Sequence, residues 1–171
     1  EGPLESIKRS HETFDPLRDP AMRPTPFQAY LRIQIGCDKF CTYCIVPSTR
    51  GPEQGRPPEQ ILAEARVLAD QGCQEITLIG QTVNSYHDGD HDFADLLAAV
   101  GAVDGVRRLR FTSPYPTDFT DRVIEAMATV EAVCEHVHLP AQSGSDAVLR
   151  RMLRRYTREA YLSVVARLRE A

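Results

Sequence analysis

Apolar and polar side chains alternate from Tyr30 to Ile35, which predicts a strand that stops at Gly36. Ile61, Leu62, Ala65, Leu68 and Ala69 then recur at helical spacing. That face begins at Pro57 and Pro58, where a missing N–H costs nothing, and ends at Gly72. Glu75 to Ile79 reads as a second strand closed by Gly80. Phe93, Leu96, Leu97 and Val100 line a second helix, with Asp92 as N-cap and Gly101 as terminator. Residues 106–111 predict a third strand, and Val123, Ile124, Met127 and Val130 a helix capped by Thr120. Cys134 to Leu139 predicts a fourth strand, followed by helices near 145–154 and 157–170; the last turns Tyr161, Val164, Val165 and Leu168 inward.

Strands alternating with amphipathic helices make βαβ units and a parallel sheet. Four such units and a terminal helix, with no sign of closure, predict an α/β fold of the partial (βα) barrel type. Residues 1–28 carry Pro3, Pro16, Pro20, Pro24 and Pro26 without an apolar period, and read as a linker or arm; the core domain is residues 29–171. The chain ends on a helix where a further strand is expected, so it reads as a truncated piece of a larger protein.

Composition narrows the picture only slightly. The 171 residues suffice for one core, and 42% hydrophobic with 26% charged content is that of a soluble domain. No apolar run is long enough for a membrane span, and the polar start lacks a secretory signal. Five cysteines, three of them clustered, do not form a disulfide framework and suit a reducing compartment, so a cytoplasmic location is expected. The net charge of −4 argues modestly against a nucleic-acid partner at the level of composition. Basic residues nevertheless gather locally, at Arg107, Arg108 and Arg110 and again at Arg150, Arg151, Arg154, Arg155 and Arg158. The second group is either a solvated face or a ridge contacting RNA phosphates through Arg150, Arg151, Arg154 and Arg155.

The chemistry concentrates in Cys37-Asp38-Lys39-Phe40-Cys41-Thr42-Tyr43-Cys44, directly after the first strand. Thiolates suit soft transition metals and iron–sulfur clusters. Structural zinc wants four ligands. Three cysteines at C-x3-C-x2-C spacing, with no fourth Cys or His nearby, instead suggest a metal centre with one position open; a zinc loop with a distant fourth ligand is the alternative. Ligands in parallel α/β folds bind beyond the carboxyl ends of strands. Those ends carry Gly80-Gln81-Thr82-Val83-Asn84, Thr112-Ser113-Pro114 and Pro140-Ala141-Gln142-Ser143-Gly144-Ser145. These neutral polar groups match the amino, carboxylate and ribose groups of an amino-acid nucleoside. Plainer readings stand beside this one: Gln81 and Asn84 as turn residues, Ser113 as a strand end, and Ser145 as a helix N-cap. Cys73 and Cys134 read as packed thiols; His136 and His138 share one face and are either ligands or pore-facing contacts or, the plainer reading, buried hydrogen-bonded histidines. Arg50 and Arg56 are either solvated or face an anionic substrate.

The cysteine spacing, with aromatic Tyr43 before the third cysteine, resembles the radical S-adenosylmethionine (SAM) superfamily. Three segments are similar to its methylthiotransferase branch: Gly36-Cys37 through Arg50-Gly51, Leu78 through Tyr86, and His138 through Ser145. Gly-Gln-x-Val-Asn-Ser-Tyr and His-Leu-Pro-x-Gln-Ser-Gly-Ser resemble most the tRNA-2-methylthio-N(6)-dimethylallyladenosine synthases (MiaB type). The resemblance implies a transferase with a truncated radical SAM barrel, in which Cys37, Cys41 and Cys44 hold a 4Fe–4S cluster. It implies SAM binding by Tyr43, Gly80, Gln81, Asn84, Ser113 and Gln142. Reductive cleavage of SAM would yield a 5′-deoxyadenosyl radical that abstracts hydrogen from C2 of isopentenylated adenosine beside the tRNA anticodon, where a methylthio group is installed. A second 4Fe–4S cluster is expected in an N-terminal domain missing here, to which residues 1–28 would be the arm. An RNA-binding barrel is missing as well, and the chain alone is expected to be inactive. The implied partners are the anticodon stem-loop of tRNA and an electron donor such as flavodoxin or ferredoxin, with no membrane and a monomeric state. The alternatives are methylthiotransfer to a ribosomal protein or to threonylcarbamoyl-adenosine tRNA, and a zinc-stabilised binding module without catalysis.

Overall fold

The computed structural model describes residue 23 and residues 25–171, so the arm expected over residues 1–28 lies almost wholly outside the described residues. The alternating run that follows forms strand β1 (Gln28–Arg32). It does not continue as one strand. Ile33 N still donates to Ile79 O (3.0 Å), but Gln34–Ile35 separates as β2 and pairs antiparallel with β3 (Gln54–Gly55). Between β2 and β3 lie the cysteine loop and the short helix α1 (Val46–Arg50). The expected strand is therefore bent in two, and its second half closes the base of the loop.

Helix α2 (Pro58–Asp70) starts on its two prolines and buries Ile61, Ala65 and Leu68. It ends in a left-handed turn at Gly72 (φ 89°), with Gly72 N on Ala69 O and Cys73 N on Leu68 O. The chain reverses into β4 (Glu75–Ile79), then a small hairpin of β5 (His87–Asp88) and β6 (His91–Asp92). Helix α3 (Phe93–Gly101) opens with a reciprocal capping box between Asp92 and Asp95. Strand β7 (Arg108–Phe111) and helix α4 (Asp121–Thr129), capped by Thr120 as its sequence predicts, complete the third unit. Helices α5 (Asp146–Arg151) and α6 (Arg158–Glu170) follow.

The sheet has the order β1-β4-β7, all parallel, so the units wind in one direction as in a barrel. In register, Ala29, Ile76 and Leu109 form one buried row, and Leu31, Leu78 and Phe111 the next. These rows share a core with Ile61, Leu68, Phe93, Leu97 and Val123 of the helices. A second small core joins Tyr115, Leu149 and Tyr156, with the Tyr115 and Tyr156 rings edge to face at 5.6 Å.

The fourth strand is not formed. Leu109 N donates to Ala132 O and Cys134 N to Leu109 O, giving a single parallel bridge at Val133. His136 N then turns back onto Cys134 O (2.7 Å), and residues 135–139 leave the sheet. That edge has no further strand beside it among the described residues, so the segment has no second ladder; Val137 and Leu139 pack on the core, and Tyr161 OH donates to Leu139 O (2.7 Å). His136 and His138 are consequently exposed, not buried. Among the described residues no helix is long and apolar enough to cross a membrane.

Candidate metal and cofactor site

The cysteine loop is pinched shut at its neck. Cys37 N donates to Gly51 O (3.1 Å), and Glu53 N to the Asp38 carboxylate (3.2 Å). Gly36 sits at φ 80°, where a β-carbon would overlap the Pro52 carbonyl, so the neck requires glycine. Cys37 is buried; its Sγ lies 3.3 Å from the Thr82 hydroxyl and accepts Lys39 N (3.4 Å). Cys41 is half-buried and Cys44 exposed, joined by a turn from Cys44 N to Cys41 O (3.0 Å). All three are free thiols. Among the described residues no three Cys, His, Asp or Glu converge on one point as a single ion requires. A cluster takes each thiolate on a different iron, so three separated thiols on one loop fit that group as a donor set.

The strand ends meet this loop. Gln34 Nε2 donates to Thr82 O (2.7 Å), tying β2 to the turn after β4. Gly80 leaves room for it, since a β-carbon there would stand 2.8 Å from Gln34 Cγ. Gln81 Oε1 is buried with no hydrogen-bond partner among the described residues, an acceptor left open at the head of β4. Ser113 and Gln142 both adopt left-handed backbones (φ 57° and 63°), at a cost of roughly 1–3 kcal/mol each. Strain of this kind concentrates at ligand-binding positions. Ser113 O also accepts Val83 N (3.4 Å), which brings the ends of β4 and β7 together.

Asn84, at the head of the same turn, is tied to the neighbouring loop. It is buried, and its carboxamide is spent on Tyr115: Nδ2 donates to Tyr115 O (2.9 Å) and Oδ1 accepts Tyr115 N (2.7 Å). It clamps one loop to another. Ser145 occupies the N-cap of α5 without a side-chain capping bond; Ser143 Oγ accepts Ser145 N (3.1 Å).

The arginines expected to form a ridge do not share one helical face. Helix α5 ends at Arg151, so Arg154 and Arg155 do not continue its face. Arg150, Arg151 and Arg155 are exposed, whereas Arg154 turns inward, its Nε donating to Tyr43 OH (3.1 Å). Its guanidinium lies 5.2 Å from the Tyr115 ring and 5.9 Å from the Tyr43 ring, stacking contacts of about 0.5–2 kcal/mol. Burial alone would lower the Arg154 pKa, but the neighbouring Cys41 and Tyr43 raise it overall. Tyr43 OH in turn donates to Gln142 Oε1 (3.2 Å). Arg56 is buried, bonded to Arg32 O and paired with Glu64 (2.7 Å), so it serves the core. Arg108 and Arg110 pair with Glu75.

Sequence reasoning missed Lys39, Thr42 and Tyr115, and placed Thr82 on a strand end without its contact to Cys37. Lys39 pairs with Asp118 (3.0 Å) over the Tyr115 ring (5.0 Å). Burial lowers its pKa, but the Asp118 carboxylate more than offsets this and raises it overall. The only signal was position: Lys39 and Thr42 lie between the cysteines, Thr82 on a strand end, and Tyr115 between two prolines.

A parallel winding sheet with a three-thiol loop at its carboxyl end defines a class, and the chain belongs to the radical SAM superfamily, which it matches over residues 31–171. It is 61% identical over 166 residues to the tRNA-2-methylthio-N(6)-dimethylallyladenosine synthase of Rhodopirellula baltica, covering 95% of this chain and 35% of that protein. It is 55% identical to the synthase of the same name from Frankia casuarinae, covering 96% and 31%. The chain thus spans about a third of the length of these curated relatives. In fold it is similar to the radical SAM methyltransferase TsrM of Kitasatospora setae, solved with tryptophan and a SAM analogue (TM-score 0.68, 19% identity, 85% of this chain and 29% of that one). It is also similar to the cobalamin-dependent SAM radical enzyme OxsB (TM-score 0.65, 14% identity, covering 84% and 22%).

Proposed function

We propose that this chain is the radical SAM core of a tRNA methylthiotransferase, acting at C2 of isopentenylated adenosine beside the anticodon. In this reading Cys37, Cys41 and Cys44 hold a 4Fe–4S cluster and SAM lies across Gly80, Gln81, Ser113 and Gln142. When bound, cluster and SAM together supply reductive cleavage of the sulfonium. The protein's own residues hold and orient: Gly36 and Gly51 close the loop, Thr82 donates toward or accepts from the Cys37 sulfur, and Gln81 offers an unspent acceptor. Exposed Arg150, Arg151 and Arg155 meet the RNA backbone. The second cluster, an electron donor such as flavodoxin or ferredoxin, cytoplasmic location and a monomeric state belong to the same proposal.

The observation that carries it is convergence: the cysteine loop is tied to the turn after β4 at Thr82 and to the strained Gln142 through Tyr43, and the strained Ser113 after β7 bonds the same turn. The high identity to relatives named as tRNA-2-methylthio-N(6)-dimethylallyladenosine synthases supports the choice of substrate. The test is nucleoside mass spectrometry of isopentenylated tRNA after anaerobic incubation of the purified enzyme with SAM and reductant. The methylthio nucleoside is the expected product; SAM cleavage that leaves the tRNA unchanged and modifies a ribosomal protein would overturn the assignment.

A further inference from the structure

Helix α5 ends in the same hydrogen-bonded turn as α2: Leu153 N donates to Arg150 O (3.0 Å) and Arg154 N to Leu149 O (2.9 Å). In α2 the left-handed position is Gly72; in α5 it is Leu153, at φ 55° and exposed. A β-carbon is disfavoured in that conformation, so the surroundings must hold the turn. What holds it is the cysteine loop. Thr42 N donates to Met152 O and Thr42 Oγ1 to Arg151 O, each at 3.2 Å, taking carbonyls that the helix end leaves open.

Arg154 leaves this turn and lies against the next residue of the loop. Its Nε bonds Tyr43 OH while its plane covers Tyr115, and Tyr43 OH continues to Gln142 Oε1. Arg155 N fixes the Tyr115 hydroxyl (3.0 Å), so the platform under the guanidinium is itself held. The Thr42-Tyr43 dipeptide between Cys41 and Cys44 is therefore gripped from outside the loop, by residues more than a hundred positions away in the chain.

We propose that Arg154 is a positioning residue of the metal loop, which through Tyr43 fixes the Cys41–Cys44 segment against Gln142 and sets a permanent positive charge beside the thiols. The geometry of the clamp stands without any metal; the role of the charge rests on the cluster reading above. A fixed cation favours the more negative, reduced state of a nearby cluster, so its removal lowers the reduction potential. Lysine keeps the charge but has no planar fork to bond Tyr43 and cover Tyr115 at once.

Two readouts separate these parts. In metal-free protein, Arg154→Gln and Arg154→Lys both raise amide hydrogen exchange at Thr42 and Cys44 about tenfold or more, with Ile76 and Leu78 of β4 unchanged. Tyr43→Phe, which removes only the hydroxyl, loosens the same amides by a smaller factor. Unchanged exchange at Thr42 and Cys44, or a rise spread evenly over β4 as well, overturns the clamp. In iron–sulfide-reconstituted protein, Arg154→Gln shifts the midpoint potential negative while Arg154→Lys stays nearer the unsubstituted protein. Equal potentials for all three overturn the role of the charge. Failure of the unsubstituted protein to assemble any cluster overturns the cluster assignment, and with it the role of the charge, while the exchange result still decides the clamp.

Discussion

Single residues decide whether the site closes. Gly36 faces the Pro52 carbonyl at positive φ, so Gly36→Ala is expected to cost more than about 1 kcal/mol and to abolish metal uptake by opening the loop neck. Iron content after reconstitution, beside a denaturation curve, checks both. Asn84 exchanges two hydrogen bonds with the Tyr115 backbone in a buried position. Asn84→Ala leaves both backbone groups unpaired and should destabilise the protein by about 2–3 kcal/mol in chemical denaturation. Gln81, whose buried carbonyl oxygen has no partner among the described residues and is proposed to face SAM, should behave differently. Gln81→Ala is expected to leave stability almost unchanged and to weaken SAM binding, measured by calorimetry on the reconstituted protein.

Elements carry these residues to one place, and most of them were legible in the sequence. β4 runs from Glu75 to Ile79 as its alternation predicts, and the Asp92 and Thr120 caps lie where the helical periods begin. These are local signals, set by period and capping chemistry. The failures were non-local. Tyr30–Ile35 alternates throughout, yet changes partner after Arg32 because β3 returns from beyond the cysteines to pair with its end. Cys134–Leu139 alternates too, but ladder pairing needs a neighbour that spacing along the chain does not report. The inward turn of Arg154 was hidden for the same reason: α5 stops three residues earlier, at Arg151, and the chain then turns at a left-handed Leu153 that no helix-stop rule anticipates. The capping box of α3 has a pH signature. The Asp92 N–H holds the Asp95 carboxyl below the usual carboxylate range; burial opposes this and Arg122 assists. Its folded pKa is depressed, so its stabilisation is present above the ordinary value near pH 4 and is lost as pH falls through the lower folded value. The stability advantage over Asp95→Asn should be full at pH 7 and shrink in denaturation curves taken below about pH 4.

At the scale of the molecule, a sheet wound in one direction brings its strand ends toward the cysteine loop. Its helices bury the Ala29, Ile76, Leu109 and Leu31, Leu78, Phe111 rows. The net charge of −4 places no general attraction on a polyanion, so the proposed RNA affinity would come from local cations. Arg150, Arg151 and Arg155 are exposed on one short stretch, while Arg154 is committed to the loop. Replacing the three exposed arginines with glutamine is expected to weaken tRNA binding and to reduce the log–log salt slope by roughly 2 to 3. An unchanged slope in filter-binding titrations would remove this surface from the RNA contact.

The central claim is an open iron held by three thiols on one loop. It is tested most directly by electron paramagnetic resonance of the anaerobically reconstituted, reduced protein with and without SAM, beside the Cys41→Ala variant. The account predicts a 4Fe–4S signal that changes when SAM is added and is missing from the variant. A single bound zinc in place of iron, or a cluster signal indifferent to SAM, would contradict it.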